Sequence, residues 1–140
     1  MIQMTRRYRF SASHRLHTDA LPEGENEAIY GKCNNPYGHG HDYVLEVTVE
    51  GPLDASTGQV IPVATLDGIV AQYVLRDFEH KNLNEDVPDF AGRVPTSENV
   101  ACAIEERLQR AWKLEAPEKG PRLKRVWLRE TQRNSFELSA

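Results

Sequence analysis

The sequence lacks any apolar run long enough to cross a membrane, and its first residues, MIQMTRRYRFSASH, lack the hydrophobic stretch of a signal peptide. It also lacks a basic block. The net charge is −4, and positive charges cluster only in the short pairs Arg6-Arg7 and Lys124-Arg125. These absences argue against a membrane protein and against a protein that binds nucleic acid.

Cysteine is scarce as well. The chain of 140 residues contains two cysteines, Cys33 and Cys102, which cannot form a disulfide framework. Free thiols in a reducing cytoplasm are therefore expected. Hydrophobic residues make up 39% and charged residues 27% of the chain, as in an ordinary globular protein. This length can bury a core without disulfides, so residues 1–140 are expected to form a single domain.

Two segments have the alternating pattern of half-buried strands. The first runs from Met4 to His14, and its apolar face includes His14. In the second, alternate positions share one face, and the opposite positions are mostly acidic or threonine. The residues on the shared face are His39, His41, Tyr43, Leu45, Val47 and Val49. Both strands are therefore predicted to place histidines on an apolar face.

Two segments have helical periodicity. Leu66, Ile69, Val70, Tyr73 and Val74 form one apolar stripe. The segment PTSENVACAIEERLQRAW predicts the second helix, with a Pro-Thr-Ser start typical of a helix N-terminus. The segments RLKRVWLRET and SFEL predict two further strands, whereas residues 15–38 and the segment DFEHKNLNEDVPDF are predicted to be loops. The predicted order β-β-α-α-β-β belongs to the α+β class, with an antiparallel four-stranded sheet.

Three histidines could bind a metal ion. His39 and His41 project from the same side of one strand because the side-chain period of a strand is two, and His14 ends another strand. Three imidazoles from neighbouring strands can form a zinc site with one open position, which is the catalytic form of such a site. The alternative is that these are core or surface histidines bonded to backbone groups.

Cys33 lies in the turn-rich stretch YGKCNNPYGHGH, six positions before His39. It could be a fourth metal ligand. It could also be a nucleophile or a general base, because a neighbouring dication favours the thiolate. Burial as a small hydrophobic side chain is the third alternative, and its polar neighbours Lys32, Asn34 and Asn35 argue against it.

Two further positions could carry chemistry. His80 follows Glu79, and an adjacent carboxylate can orient an imidazole for proton transfer. Glu130 ends the strand face that carries Val126 and Leu128. The alternatives are a solvated loop histidine and an exposed charge at a strand end.

Five segments resemble the signature segments of the 6-pyruvoyl-tetrahydropterin synthase family: FSASHRLH, YGKCNNPYGHGHDY, EHKNLNEDVPDF, PTSENVA and LRETQRN. They occur in the same order as in the family, from Phe10 to Asn134. The resemblance implies a tunnelling fold, in which three subunits join their sheets into a barrel. Two barrels then stack as a homohexamer, a dimer of trimers.

The resemblance also implies a role for each candidate residue. Zinc would be bound by His14, His39 and His41, with Cys33 as the catalytic base. Glu79 and His80 would handle a second proton transfer, although the family usually has Asp at the position of Glu79. Glu130 would anchor the pterin ring, and Thr96 and Ser97 would lie near it.

The implied reaction converts 7,8-dihydroneopterin triphosphate to 6-pyruvoyltetrahydropterin with loss of triphosphate, a carbon–oxygen lyase step of tetrahydrobiopterin biosynthesis. In the family, five residues between the catalytic Cys and His-Gly-His typically accompany the pyruvoyl product, and three accompany a carboxy product. Here residues 34–38 give five. The alternatives are a 6-carboxytetrahydropterin synthase of the deazapurine pathway and a non-catalytic zinc- or pterin-binding module.

Overall fold

The computed structural model describes residues 1–139. Its strands are β1 (Ile2–His14), β2 (His39–Gly51), β3 (Lys81–Asn82), β4 (Arg122–Thr131) and β5 (Asn134–Ser139). They form one sheet in the order β3-β1-β2-β4-β5. The predicted four-stranded antiparallel sheet therefore has a fifth strand. This strand, β3, pairs in parallel with the end of β1, and two residues are too short to show an alternating pattern.

Within residues 1–139, five helices accompany the sheet: α1 (Glu23–Tyr30), α2 (Val63–Val70), α3 (Arg76–Phe78), α4 (Leu83–Asp86) and α5 (Ser97–Glu115). A π-helical turn (Ala71–Leu75) joins α2 to α3, and 3-10 turns occupy Gly31–Asn34 and Pro88–Phe90. The two predicted helices correspond to α2 with its continuation and to α5. The prediction that two segments are loops was wrong in part. Residues 15–38 contain α1 and one 3-10 turn, and residues 77–90 contain α4 and the other 3-10 turn.

The long helix α5 begins as its sequence predicts. The side-chain oxygen of Thr96 accepts a hydrogen bond of 3.2 Å from the backbone N–H of Asn99, which satisfies one free donor of the first turn. Val100, Ile104 and Leu108 recur at intervals of four and are fully buried against the sheet. Each such side chain contributes about 1.5–3 kcal/mol when buried. This packing fixes the first turn of α5 relative to the ends of β1 and β4.

The two faces of the sheet differ in chemistry. The face under the helices is apolar, and Phe10 of β1 stacks on Tyr43 of β2 with ring centroids 4.9 Å apart. The opposite face carries ion pairs between strands, such as those of Glu46 with Arg7 and Arg125. No helix within residues 1–139 has the length and hydropathy that crossing a membrane requires.

The register of β1 and β2 creates the candidate site. His14 pairs with His39, and Ala12 pairs with His41. Directly opposed residues in an antiparallel pair point to the same face of the sheet. The three predicted histidines therefore lie together at one end of the sheet.

Candidate metal centre and active site

His14 is fully buried, and its two ring nitrogens have different surroundings. The Nδ1 atom lies 2.8 Å from the carbonyl oxygen of Pro95, just before α5. Because a carbonyl can only accept, this contact places the ring proton on Nδ1. The Nε2 atom is buried and has no hydrogen-bond partner within residues 1–139. A neutral imidazole held by its outer N–H, with its other nitrogen free, is the usual state of a metal-binding histidine.

His41 and Cys33 lie beside that free nitrogen. Three side chains, those of His14, Cys33 and His41, each offer one possible ligand atom. These three atoms lie within 4.8 Å of one another. The Cys33 Sγ atom is 3.8 Å from His41 Nε2. The 3-10 turn Gly31–Asn34 presents the thiol, and a hydrogen bond of 2.6 Å from Leu16 N–H to the Cys33 carbonyl ties that turn to the end of β1. These three side chains form a possible metal site.

His39 lies next to this cluster. Its ring centroid is 4.7 Å from that of His41, but its side chain is exposed. The three possible ligand atoms that lie within 4.8 Å of one another include that of Cys33 and not that of His39. The predicted ligand set of His14, His39 and His41 therefore stays a prediction, with Cys33 as the competing third ligand.

Burial dominates the titration of the cluster. It lowers the pKa of His14 and of His41, and the charge of Glu130 acts in the opposite direction. Burial also raises the pKa of the Cys33 thiol, and Glu130 raises it further. In the absence of metal, the two histidines are thus favoured as neutral bases and Cys33 as a thiol. A bound dication would shift the thiol toward the thiolate.

Glu130 connects the cluster to the start of α5. Its Oε1 atom is 3.5 Å from His41 Nε2, and its Oε2 atom accepts a hydrogen bond from the Ser97 hydroxyl. Thr96 lies beside Ser97, but its hydroxyl oxygen is engaged in capping the helix. Glu130 and Ser97 therefore lie at the candidate site. Thr96 is next to Ser97 in the chain, but its own side chain serves the helix cap.

Glu79 and His80 lie just before β3, an edge strand of the sheet. His80 lines a cavity of about 540 Å³ together with Ser11, Asp42 and the candidate ligand His41. Its Nε2 atom is 2.9 Å from Glu79 Oε1, and 81% of its side chain is exposed. Within residues 1–139 no hydrogen bond or ring contact joins His80 to Cys33. His80 therefore shares a cavity with the candidate ligand His41, but it is not bonded to Cys33 within the described residues.

Two residues at the site were not predicted. The buried Tyr43 hydroxyl lies 3.4 Å from His14 Nδ1, and Tyr43 shares the strand face of His41. The buried Asn34 donates from Nδ2 to the Leu16 carbonyl at 2.8 Å and lies 3.2 Å from His17 Nδ1. The position of Tyr43 on the shared face could have indicated its place. No signal in the sequence indicated the role of Asn34.

Fold and site together define an α+β protein with a candidate metal centre of imidazole and thiol groups next to a carboxylate. The profile of the family described as 6-pyruvoyl tetrahydropterin synthase matches residues 3–140. The human 6-pyruvoyl tetrahydrobiopterin synthase is 48% identical over 108 residues, which cover 77% of this chain and 74% of the human one. The chain belongs to the 6-pyruvoyl tetrahydropterin synthase family, as its motifs predicted.

Two further comparisons place the chain within related proteins. The structure of the Caenorhabditis elegans 6-pyruvoyl tetrahydropterin synthase matches with a TM-score of 0.88 at 38% identity, covering 99% of this chain and 95% of that one. A 6-carboxy-5,6,7,8-tetrahydropterin synthase of Rickettsia typhi is 25% identical over 123 residues, which cover 77% of this chain and 80% of its own. The similarity to the pyruvoyl-type relatives is thus much higher.

Proposed function

We propose that this chain is a zinc-dependent lyase that converts 7,8-dihydroneopterin triphosphate to 6-pyruvoyltetrahydropterin and triphosphate. The observation that carries the proposal is the free, buried Nε2 of His14 beside His41, Cys33 and Glu130. A buried nitrogen without a partner is costly in a purely structural role, and a metal ion accounts for it. Membership of the family supplies the substrate class.

His14, His39 and His41 would bind the metal through imidazole nitrogens. The donor set fits zinc, because neutral imidazole suits this ion and three protein ligands leave one position for substrate. Zinc would act as a Lewis acid toward the hydroxyl groups of the substrate side chain. This ligand set leaves the Cys33 thiol free for a different role.

Cys33 would act as the general base on a side-chain carbon of the substrate. Its sulfur lies among the ligand atoms, so a substrate bound at the open position would be within reach of the thiolate. His80, oriented by Glu79, would serve the reciprocal proton transfer. His80 shares a cavity with His41, which would place it near a substrate bound at the metal.

Glu130 would recognise the pterin ring. Its two carboxylate oxygens can accept from a ring N–H and the adjacent amino group, as bidentate carboxylate pairs do. The Ser97 hydroxyl, which donates to Oε2, would hold that carboxylate in place. Thr96 would contribute by fixing the start of α5, where Ser97 is the first residue.

The proposed assembly is a homohexamer, a dimer of trimers in which the sheets join into barrels. The sheet supports this proposal because both of its edges are open. The outer edge of β1 has no strand partner from Ile2 to Phe10 within residues 1–139, and β5 ends the sheet on the other side. If these edges paired between subunits, neither edge strand would be left with unpaired backbone groups. Solution scattering of a monodisperse monomer would contradict this assembly.

The proposed location is the cytoplasm. Cys33 and Cys102 are both free thiols, which a reducing compartment preserves. The proposed substrate is a soluble pterin triphosphate. Neither a nucleic acid nor a membrane takes part in the proposed reaction.

The pyruvoyl product is favoured over the carboxy product by two features. The loop from Cys33 to His39 has the longer spacing, and the pyruvoyl-type relatives are the more similar ones. The test is to incubate the zinc-loaded protein with dihydroneopterin triphosphate and identify the products by mass spectrometry. 6-Pyruvoyltetrahydropterin with triphosphate is expected. 6-Carboxytetrahydropterin with acetaldehyde would show the other activity.

One observation favours a second candidate, a non-catalytic zinc-binding module. The ligand atoms that lie close together are those of His14, Cys33 and His41, which would suit a metal site containing a thiolate. In that case zinc would protect Cys33 from alkylation and chelators would expose it. If Cys33 is instead the catalytic base, the thiol should remain reactive when zinc is bound.

A further inference from the structure

We propose that Arg107, in the middle of α5, is a positioning residue that fixes the Glu79–His80 turn for proton transfer. The inference rests on the proposed function, because it assumes that His80 moves a proton. Arg107 lies outside every motif that predicted the site. Its contacts nevertheless join both sides of the segment that carries His80.

The turn at His80 needs external support. His80 has φ 58, in the left-handed region that residues other than glycine rarely adopt. Such a conformation persists only when surrounding contacts impose it, and it is often found at functional sites. The π-helical turn Ala71–Leu75 precedes α3, the helix that leads into the turn, and interruptions of this kind also recur at functional sites.

Local hydrogen bonds hold the turn against β1. The His80 N–H donates to the Ser11 carbonyl at 2.7 Å, and Glu79 Oε2 accepts from the Ser11 N–H at 3.3 Å. These bonds hold the turn against the edge of the sheet at Ser11. They involve one residue of β1, and the pairing of β3 with β1 holds the two residues after His80. Neither contact fixes the helix that leads into the turn or the segment beyond β3.

Arg107 fixes both of those flanks. On the upstream side its Nη1 donates to Asp77 at 2.6 Å and to the Tyr73 carbonyl at 3.0 Å. On the downstream side its Nε and Nη2 donate to the two oxygens of Asp89 at 2.9 and 2.6 Å. The guanidinium carbon lies 5.0 Å from the ring centroid of Phe78, which is fully buried. A single side chain thus connects residues on either side of Glu79 and His80.

The geometry of these contacts requires an arginine. The Arg107 side chain is only 12% exposed, and all three of its nitrogens donate. A planar guanidinium can hold the Asp89 carboxylate with two bonds while it donates to Asp77, whereas a lysine ammonium is a point charge on a flexible stem. Arg107→Lys would keep the charge and most of the volume, so it should loosen the turn without unfolding the chain.

Two measurements test this role. The first is amide hydrogen exchange of His80, whose N–H donates to Ser11. In Arg107→Lys we expect exchange at least about tenfold faster, with the amides of β2 unchanged. Arg122→Lys is the matched control, because it weakens an exposed ion pair with Glu50. Unchanged exchange at His80 in Arg107→Lys would overturn the proposal.

The second measurement is turnover. Arg107→Lys should lower kcat at least about tenfold with KM and zinc content unchanged, since misplacement of a proton-transfer group affects the chemical step. In the His80→Ala background, Arg107→Lys should cause no further loss, because both changes act through the same group. A further tenfold loss in the double variant would show that Arg107 does not act through His80.

The two hypotheses can fail separately. If the wild-type protein forms no pterin product, the proposed function fails, and hydrogen exchange still decides whether Arg107 fixes the turn. If Arg107→Lys does not fold, Asp89→Asn takes its place. It keeps the shape of the side chain but removes the charge that binds the guanidinium, and the same outcomes apply.

Discussion

His14 donates its Nδ1 hydrogen to the carbonyl oxygen of Pro95, 2.8 Å away, so that Nε2 is the nitrogen that faces His41 and Cys33. This contact joins the end of a strand to the residue that precedes the cap of the longest helix. The packing of that helix therefore determines how the candidate metal ligand is oriented. The first prediction follows from this geometry.

His14→Ala should abolish the stabilisation of the protein by zinc. A ligand present at 100 times its Kd stabilises the folded state by about 2.7 kcal/mol. We expect an increase in melting temperature with zinc in the wild-type protein and none in His14→Ala. His80→Ala is the control, because the His80 side chain is exposed and is not among the clustered ligand atoms, and this variant should respond like the wild type. An equal response of His14→Ala and the wild type would exclude His14 as a ligand.

The metal-free protein should lose stability as the pH falls through about 6.5. Burial lowers the pKa of His14 below its ordinary value of 6.5 in the folded state. Between the two values the unfolded chain binds more protons, so the free energy of unfolding decreases as the pH falls. Denaturant titrations at pH 7.5 and 5.5 measure this change. His14→Gln should show a smaller decrease, and an equal decrease would assign the effect to other groups.

Cys33→Ala should retain one zinc per subunit and lose most turnover. The reason is that a thiolate acting on the substrate leaves the three imidazoles to bind the metal. Zinc analysis and a turnover assay on the same preparation measure both properties. Cys102→Ala is the matched control, because Cys102 lies in α5, and it should retain turnover. Loss of stoichiometric zinc from Cys33→Ala would identify Cys33 as a ligand.

Glu130→Gln should make Cys33 more reactive in the metal-free protein. The charge of Glu130 is the second cause, after burial, that raises the pKa of the Cys33 thiol. Removing that charge lowers the pKa of the Cys33 thiol. A larger fraction of Cys33 is then in the thiolate form at a given pH. The rate of alkylation at pH 7.5 should rise. Glu106→Gln, which changes an exposed carboxylate of α5, should leave the rate unchanged. A slower rate in Glu130→Gln would contradict this electrostatic assignment.

Asn34→Ala should destabilise the fold by about 1–3 kcal/mol, because it leaves the Leu16 carbonyl without its buried donor. It should also loosen the turn that presents Cys33. Thermal unfolding and the alkylation rate of Cys33 measure the two effects. Asn35→Ala is the control, since Asn35 is exposed and its side chain accepts only from the Tyr37 N–H. An effect of equal size in both variants would exclude a specific role of Asn34.

Patterns within a single element predicted the largest parts of the fold. The alternation in β1 and β2 and the cap of α5 depend on neighbouring residues, so they can be read locally. The helix α1 could not be predicted in this way. Asn26 is its only buried residue, and its amide bonds to the carbonyls of Thr18, Leu21 and Pro22 hold the helix in place of an apolar stripe.

The same distinction applies to the site. The faces of the strands predicted that the three histidines lie together, because the pairing of β1 with β2 is implied by their patterns. The contact of Glu130 with His41 depends on the register of β4 against β2, which no local pattern specifies. The backbone of His80 has φ 58, a conformation that its residue type disfavours and that the sequence therefore does not indicate. These features arise from tertiary packing.

In the proposed site, three imidazoles bind zinc and leave Cys33 free as a base. X-ray absorption spectroscopy of the zinc-loaded wild-type protein tests it most directly, because zinc–nitrogen and zinc–sulfur distances differ. We expect only nitrogen and oxygen ligands, at about 2.0–2.1 Å from zinc, and the same ligands in Cys33→Ala. A sulfur at about 2.3 Å in the wild type that is absent from the variant would contradict it.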